Sequence, residues 1–406
     1  MYMEIITSAI HQRIDCLDDS HSEAIALTSA YDFNSASEAA NRFSGVTQGN
    51  IYSRFTNPSV DLFERKLATF EGAEASVAFS SGMSAYLAIA ITFLKQGDHV
   101  LLASGIFGTT THLFRQYFGR FGITASVVDV DDINGWKKEL QHNTKLIVVE
   151  TPTNPILAVA DIKQLSLIAK EQKAIFVVDN TLLSPVFQQP LAFGADLVLH
   201  SVGKFIDGQG RVVGGAISGS YKLIQPLKDY LRSSGTCLSA FNAWLLSKSM
   251  DTLYARMQQH QSNAIKVYNW LKVQDMIVSV NSTIDPEHSQ AILISEQQKG
   301  HSPILTFSIK GGRIEAWKII DSFELISRCT NIGDAKTMVT HPATTTHGKY
   351  TIKERERYGI TENLIRLSIG LENPKDIIDD LNKAFDAIKT PICSDKSEEY
   401  DHVLSL

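Results

Sequence analysis

The chain has 406 residues, 44% of them hydrophobic and 20% charged, with a formal net charge of −6. That is the composition of a globular protein long enough for two domains. The mild charge and the lack of any Lys/Arg run exclude nucleic acid as an expected partner, and no apolar stretch reaches the length of a membrane span.

The opening residues, MYMEIITSAIHQRIDCLDDS, lack the basic segment and apolar core of a secretory leader, so a cytoplasmic protein is expected. The four cysteines, Cys16, Cys237, Cys329 and Cys393, show no metal-ligand spacing and form no disulfide framework. Cys237, in SSGTCLSAF, reads as a small buried filler. Residues 1–60 are polar and irregular and read as an extended arm with a short helix. A helix then opens with Asn57 as cap and Pro58 in the first helical position. Val60, Phe63, Leu67 and Phe70 recur at helical spacing, and Gly72 ends it.

From there short apolar runs, ASVAF, HVLLA, ASVVDV, KLIVVE, AIFVVD and DLVLH, alternate with helical stretches such as SAYLAIAITFLKQG and DIKQLSLIAKEQ. Strands apolar on both faces, separated by helices, predict a mostly parallel sheet covered on both sides, with ligands at the carboxyl ends of its strands. GGAISGSYKL closes the sheet near residue 222, and a helix-rich stretch completes a large domain over 61–264. A smaller α+β domain over 265–390 has ILTFSIKGG and LIRLSIGLE as strands and RIEAWKIIDSFEL and DIIDDLNKAFDAI as helices. Residues 391–406 read as a tail.

The strand ends carry the chemistry. KLIVVE ends in Glu150, with Asn154 beyond it; AIFVVD ends in Asp179; and DLVLHS is followed by Lys204, alone among small residues. After ASVAF, the turn Ser80-Ser81-Gly82-Met83 opens a helix, whose free N–H groups and positive dipole end suit a phosphate. A phosphate cradle, a buried acid and a lysine together fit pyridoxal 5'-phosphate. Its aldehyde forms a Schiff base with a lysine, and its ring nitrogen needs a carboxylate to stay protonated. Phe107, in SGIFGTTTH, supplies an aromatic face for the ring. His341 and His347 fit no helical metal-ligand pair, and no metal is expected.

From Tyr31 to about Leu381 the sequence resembles the Cys/Met-metabolism family of pyridoxal-phosphate enzymes, through YSRFTNPS (52–59), SSGMSA (80–85), ETPTNP (150–155), VDNT (178–181), HSVGKFIDG (200–208), HPATTTH (341–347) and IRLSIGLE (365–372). The resemblance implies the aspartate-aminotransferase-like fold (fold type I) and a homotetramer built from two tight dimers. It implies that Lys204 holds the cofactor and moves protons, and that Asp179 pairs with the ring nitrogen. Gly82, Met83 and Ser201 bind phosphate, and Tyr52 and Arg54 reach that phosphate from the neighbouring subunit. Asn154, Arg366 and Thr337 serve the amino-acid substrate, with Arg366 on its carboxylate in the bidentate geometry that a guanidinium favours.

Two positions depart from the family pattern. Gly203 stands where a threonine is usual, leaving the phosphate one hydroxyl short. Phe107 stands where a tyrosine is usual, and a phenylalanine ring can stack but cannot exchange a proton. The stretch Gly333–Thr337, with Phe107 and Thr109, resembles the sulfhydrylase branch that uses O-succinylhomoserine. The implied reaction is γ-replacement of succinate by sulfide. A cystathionine-forming synthase, an O-acetylhomoserine sulfhydrylase and a methionine γ-lyase are the alternatives within the family, and a non-enzymatic cofactor binder is the alternative outside it.

Overall fold

The computed structural model describes residues 4–12 and 21–389. Cys16, Cys393 and the tail lie outside the described residues. Two compact units are present: one holds the described residues up to Asn154, Ala158–Met257 and Ile292–Gly300, the other Pro155–Leu157, Gln258–Ala291 and the described residues from His301 onward. The division falls inside the helix Leu253–Leu271 rather than at 264, and two short pieces, 155–157 and 292–300, belong to the opposite unit from their sequence neighbours.

The first unit is built on seven strands: β1 Ala75–Phe79, β2 His99–Ala103, β3 Thr124–Val128, β4 Thr144–Glu150, β5 Ile175–Asp179, β6 Leu197–Ser201 and β7 Gly215–Gly219, in the order β1-β7-β6-β5-β4-β2-β3. Only β7 runs against its neighbours. Side chains alternate between the faces. Val100, Leu102, Val148, Val177 and Leu199 pack in one cluster with Ala85, Tyr86 and Ile89 of the helix Gly82–Phe93. Leu101, Ile147, Val149, Phe176 and Val178 pack in another with Leu165 and Ile168 of the helix Ile162–Gln172. Both faces are covered, so the strands are apolar throughout. The helix Pro58–Glu71 starts with Asn57 accepting from Ser59 N and ends with Gly72 at φ 66°, a left-handed conformation that glycine adopts without strain.

In the second unit five strands, β8 Ile277–Asn281, β9 Ile304–Ile309, β10 Ser327–Arg328, β11 Met338–Thr340 and β12 Leu364–Ser368, lie in the order β10-β11-β12-β9-β8. Leu305, Phe307, Ile309, Ile365 and Leu367 face a core shared with the helices Arg313–Ser322 and Pro374–Lys389. Arg366, of opposite parity, pairs across the sheet with Thr306 and Thr340. Among the described residues no helix is long and apolar enough to cross a membrane.

The arm has two parts. Around Glu23 it is tied to its own unit: Trp244 Nε1 donates to the Glu23 carbonyl (3.0 Å), Lys248 pairs with the Glu23 carboxylate, and Asn57 Nδ2 donates to the Ala26 carbonyl (2.9 Å). From there the chain runs out and back over 30–52, closed at its base by a bridge between Ala30 and Tyr52. The helix in this excursion, Ala36–Phe43, buries none of its residues, and Phe43 and Val46 are exposed.

Burial pushes the Glu23 carboxyl up, but the Lys248 hydrogen bond, a backbone donor and the charges of Lys248 and Lys66 leave it below its ordinary value. The pair therefore stabilises the folded arm above the ordinary glutamate range, and its contribution is lost as pH falls through the lowered value. Glu23→Gln is expected to cost about 1–3 kcal/mol locally. Hydrogen exchange at neutral pH should show faster exchange over 22–31 with the sheet unchanged; unchanged exchange in that segment would refute the anchor.

Candidate active site

Parity and register bring the strand ends together. Glu150 and Asp179 are direct partners in the β4–β5 ladder, and Asp179 pairs with Leu199 of β6. Asp179 shares the face of Val177, and Ser201 shares that of Leu199. Both therefore point to the side covered by the helix Gly82–Phe93.

That helix begins at the cradle. Ser81 caps it, its Oγ accepting from Ser84 N at 3.0 Å. A β-carbon at Gly82 would stand 3.2 Å from Ser201 Cβ, and one at Gly215 would stand 2.2 Å from the Ser81 carbonyl oxygen. Only glycines let the β6–β7 end approach the helix N-terminus this closely. Met83 is half-buried beside them, its Sδ facing Thr110 Oγ1 at 3.8 Å. The result is a dipole end with backbone donors and a serine hydroxyl next to it, a set that fits a phosphate.

Asp179 is buried and its carboxylate is hydrogen-bonded on both oxygens. Oδ1 accepts from Thr181 N (3.0 Å) and Thr181 Oγ1 (2.5 Å), and Oδ2 accepts from Tyr86 Oη (2.8 Å). Burial raises the Asp179 carboxyl above its ordinary value; the Thr181 and Tyr86 donors and nearby His200 oppose that rise. A buried acid in this state gains from a cation, and a protonated pyridine nitrogen is one. Thr181 also ties the acid to the cradle, because its Oγ1 accepts from Ser201 N at 2.9 Å. Behind them His200 Nε2 meets Glu71 Oε1 in a buried pair.

Lys204 sits half-buried in the turn after β6, its N donating to the Ser201 carbonyl (3.2 Å) and its carbonyl accepting from Gly208 N (2.8 Å). Arg256 clamps this turn. Its Nη1 donates to the Phe205 carbonyl (2.7 Å) and its Nη2 to those of Ile206 (3.0 Å) and Ser249 (2.9 Å). A β-carbon at Gly203 would lie 2.1 Å from the Val212 carbonyl oxygen, so the turn is closed over the place a threonine side chain needs. Phe107 presents a ring that is 45% exposed, while its backbone N is held by Glu150 Oε2 at 2.9 Å.

Tyr52 and Arg54 are elsewhere on the same unit. They line a cavity of ≈ 560 Å³ with Leu27, Asn57, Cys237 and Ser239, and neither Lys204, Asp179 nor Gly82 is part of its wall. Cys237 is half-buried there and packs against the core of the unit, with its backbone bridging to Phe79. The Arg54 guanidinium lies over the Phe55 ring at 4.7 Å.

Asn154 is half-buried in the loop after β4. In the second unit Arg366 is 2% exposed on an interior strand, and its Nη2 donates to the carbonyls of Thr330 (2.8 Å) and Asn331 (3.2 Å). Burial and the Arg366 charge hold His347 down to about 4, so it is neutral at physiological pH. His341 accepts from Trp317 Nε1 (3.3 Å) and meets the Glu362 carbonyl, and among the described residues no His/Cys/Asp/Glu group could hold a metal. Thr337 is fully buried, its Oγ1 donating to Glu372 Oε2 (2.8 Å) and accepting from Gly370 N (2.9 Å). Three contributors, Tyr86, Thr181 and Arg256, are absent from the sequence reading. Tyr86 had a signal: it lies one helical turn beyond Gly82, on the side that meets the sheet.

The family model for Cys/Met metabolism PLP-dependent enzymes matches residues 6–386. An O-succinylhomoserine sulfhydrylase from Pseudomonas aeruginosa is 44% identical over 91% of this chain and 91% of its own length. An L-methionine gamma-lyase from Fusobacterium nucleatum subsp. polymorphum is 36% identical over 90% and 93%. A solved structure of a putative O-acetylhomoserine (thiol)-lyase from Campylobacter jejuni, carrying N'-pyridoxyl-lysine-5'-monophosphate, is 33% identical with a TM-score of 0.90 over 95% of this chain and 100% of that one. The chain belongs to the Cys/Met metabolism family of PLP-dependent enzymes, its fold is fold type I, and its cofactor is pyridoxal 5'-phosphate.

Thr181 links acid to cradle, so Thr181→Val should leave the Ser201 N–H without its acceptor and cost about 1–3 kcal/mol of stability. Urea unfolding of the apoprotein and fluorescence titration with cofactor should both register the change. A variant as stable as wild type with unaltered cofactor affinity would remove Thr181 from the site.

Proposed function

We propose that this family member catalyses γ-replacement on O-succinyl-L-homoserine, with sulfide as nucleophile and L-homocysteine and succinate as products. Lys204 carries the cofactor, Asp179 meets its ring nitrogen, and Gly82, Met83 and Ser201 take its phosphate. Phe107 covers the ring. The cofactor supplies an electron sink for charge developing at Cα. Asn154 and Arg366 receive the substrate carboxylate, and Thr337, pinned by Glu372, fixes the segment that leads into β11.

The residue steps follow. The Lys204 amine takes the proton from Cα, would give it up to the conjugated system that the bound cofactor supplies, and, neutral again, takes one from Cβ. The Cγ–O bond breaks and succinate leaves with its electron pair. Sulfide attacks Cγ through sulfur, and Lys204 returns protons to Cβ and Cα. The observation that carries the reading is Phe107. A ring anchored through its backbone by Glu150 and bearing no ionisable hydroxyl offers no proton to divert the reaction toward elimination. The sulfhydrylase relative at 44% identity supports it further. Sulfide needs little dedicated recognition, whereas cysteine brings an ammonium and a carboxylate that cost binding if left unpaired.

Tyr52 and Arg54 serve the phosphate of a second copy, in a homotetramer of two such dimers. Support comes from the excursion over 30–52, whose helix buries nothing within the chain, and from a cavity wall that excludes the cradle.

Two experiments test this reading. With O-succinylhomoserine and equal sulfide and cysteine, homocysteine should exceed cystathionine by about tenfold or more, with little 2-oxobutyrate. A cystathionine majority points to the synthase alternative, and rapid 2-oxobutyrate release points to a lyase. Separately, Lys204→Ala and Arg54→Ala chains, each inactive alone, should regain activity when their subunits are exchanged. No recovery after verified exchange counts against the crossing arm.

A further inference from the structure

The Asp179 carboxylate offers about four lone-pair sites. Thr181 fills both on Oδ1, through its N–H and its Oγ1, and Tyr86 fills one on Oδ2. One site remains, and it is on the oxygen that Tyr86 already holds. Tyr86 is itself buried, at 3% exposure, on the helix whose first residue forms the cradle.

Resting on the reading that Asp179 meets the ring nitrogen, we propose that Tyr86 is a positioning residue for the cofactor. Its hydroxyl fixes Oδ2 toward the one remaining lone pair and keeps the carboxylate ionised, so that the shared proton stays on the ring nitrogen.

Two physical points support this. Burial, with the charges of Asp179 and Glu150, raises the Tyr86 hydroxyl well above the ordinary tyrosine range against an opposing hydrogen bond from Thr110, so the hydroxyl keeps its proton and donates it to Asp179. A donor to a carboxylate lowers its basicity, and in a dry site that effect is undiluted by water. Without Tyr86 the carboxylate is a stronger base, and the proton moves from the ring nitrogen toward Oδ2. The ring loses charge and draws electrons from Cα less strongly. Helix and sheet are thus coupled at both ends of the cofactor: the residue that starts the helix meets the phosphate, and the residue one turn later adjusts the acid.

The test uses Tyr86→Phe, which keeps the ring and deletes only the hydroxyl. Holoenzyme is loaded with cofactor labelled with nitrogen-15 in the ring and read by solid-state NMR. Wild type should show the protonated-pyridine shift, and Tyr86→Phe should move toward the neutral value. Cofactor Kd should rise roughly three- to tenfold, and kcat should fall by a similar factor with KM for the homoserine ester unchanged within about twofold. Repeating the binding measurement with 1-deazapyridoxal phosphate, which has no ring nitrogen, should abolish the difference between the two proteins. An unchanged nitrogen-15 shift, or equal weakening for both cofactors, reduces Tyr86 to packing and overturns the proposal. A neutral ring nitrogen in wild type, unaffected by Asp179→Asn, overturns the pairing of Asp179 with the ring as well, and so separates the two failures.

Discussion

A carboxylate held out of water at the end of β5 sets the terms for everything around it. Burying an unpaired charge is costly, so Asp179 is surrounded by donors: Thr181 from its own loop and Tyr86 from the covering helix. Those donors oppose the burial without cancelling it, since the carboxyl still lies above its ordinary value. The parallel sheet is what allows this arrangement. Three adjacent strands, β4, β5 and β6, finish on the same edge, and the alternation of side chains turns Asp179 and Ser201 toward one helix.

Much of this was legible in the sequence. All six apolar runs that alternate with helices became strands, because residues buried on both faces leave a continuous signal. The lone lysine and the strand-end acids stood out for the same reason. β8, β10 and β11 were not anticipated: β8 is half-exposed, and the other two have only two and three residues. Nor could periodicity find the division at Met257, because the helix Leu253–Leu271 runs through it unbroken. Thr181 and Arg256 act through backbone carbonyls and amides brought near by tertiary folding, and such contacts leave no spacing to read.

The second unit handles its own buried cation differently. Arg366 lies on an interior strand and is oriented by the carbonyls of Thr330 and Asn331. The chain just beyond β12 is fixed by Asn263, whose Nδ2 donates to the carbonyls of Gly370 (3.0 Å) and Glu372 (2.8 Å), while the Glu372 carboxylate holds Thr337. Backbone carbonyls thus orient the Arg366 guanidinium, and a histidine kept neutral nearby adds no competing cation.

Gly203 constrains more than its own position. The Val212 carbonyl oxygen stands 2.1 Å from where a β-carbon would be. Any side chain there, alanine included, would therefore meet backbone rather than open space or the end of a flexible side chain. A substitution at 203 is accommodated only if the 202–214 turn opens with it, so this one position reports on the whole turn that carries Lys204.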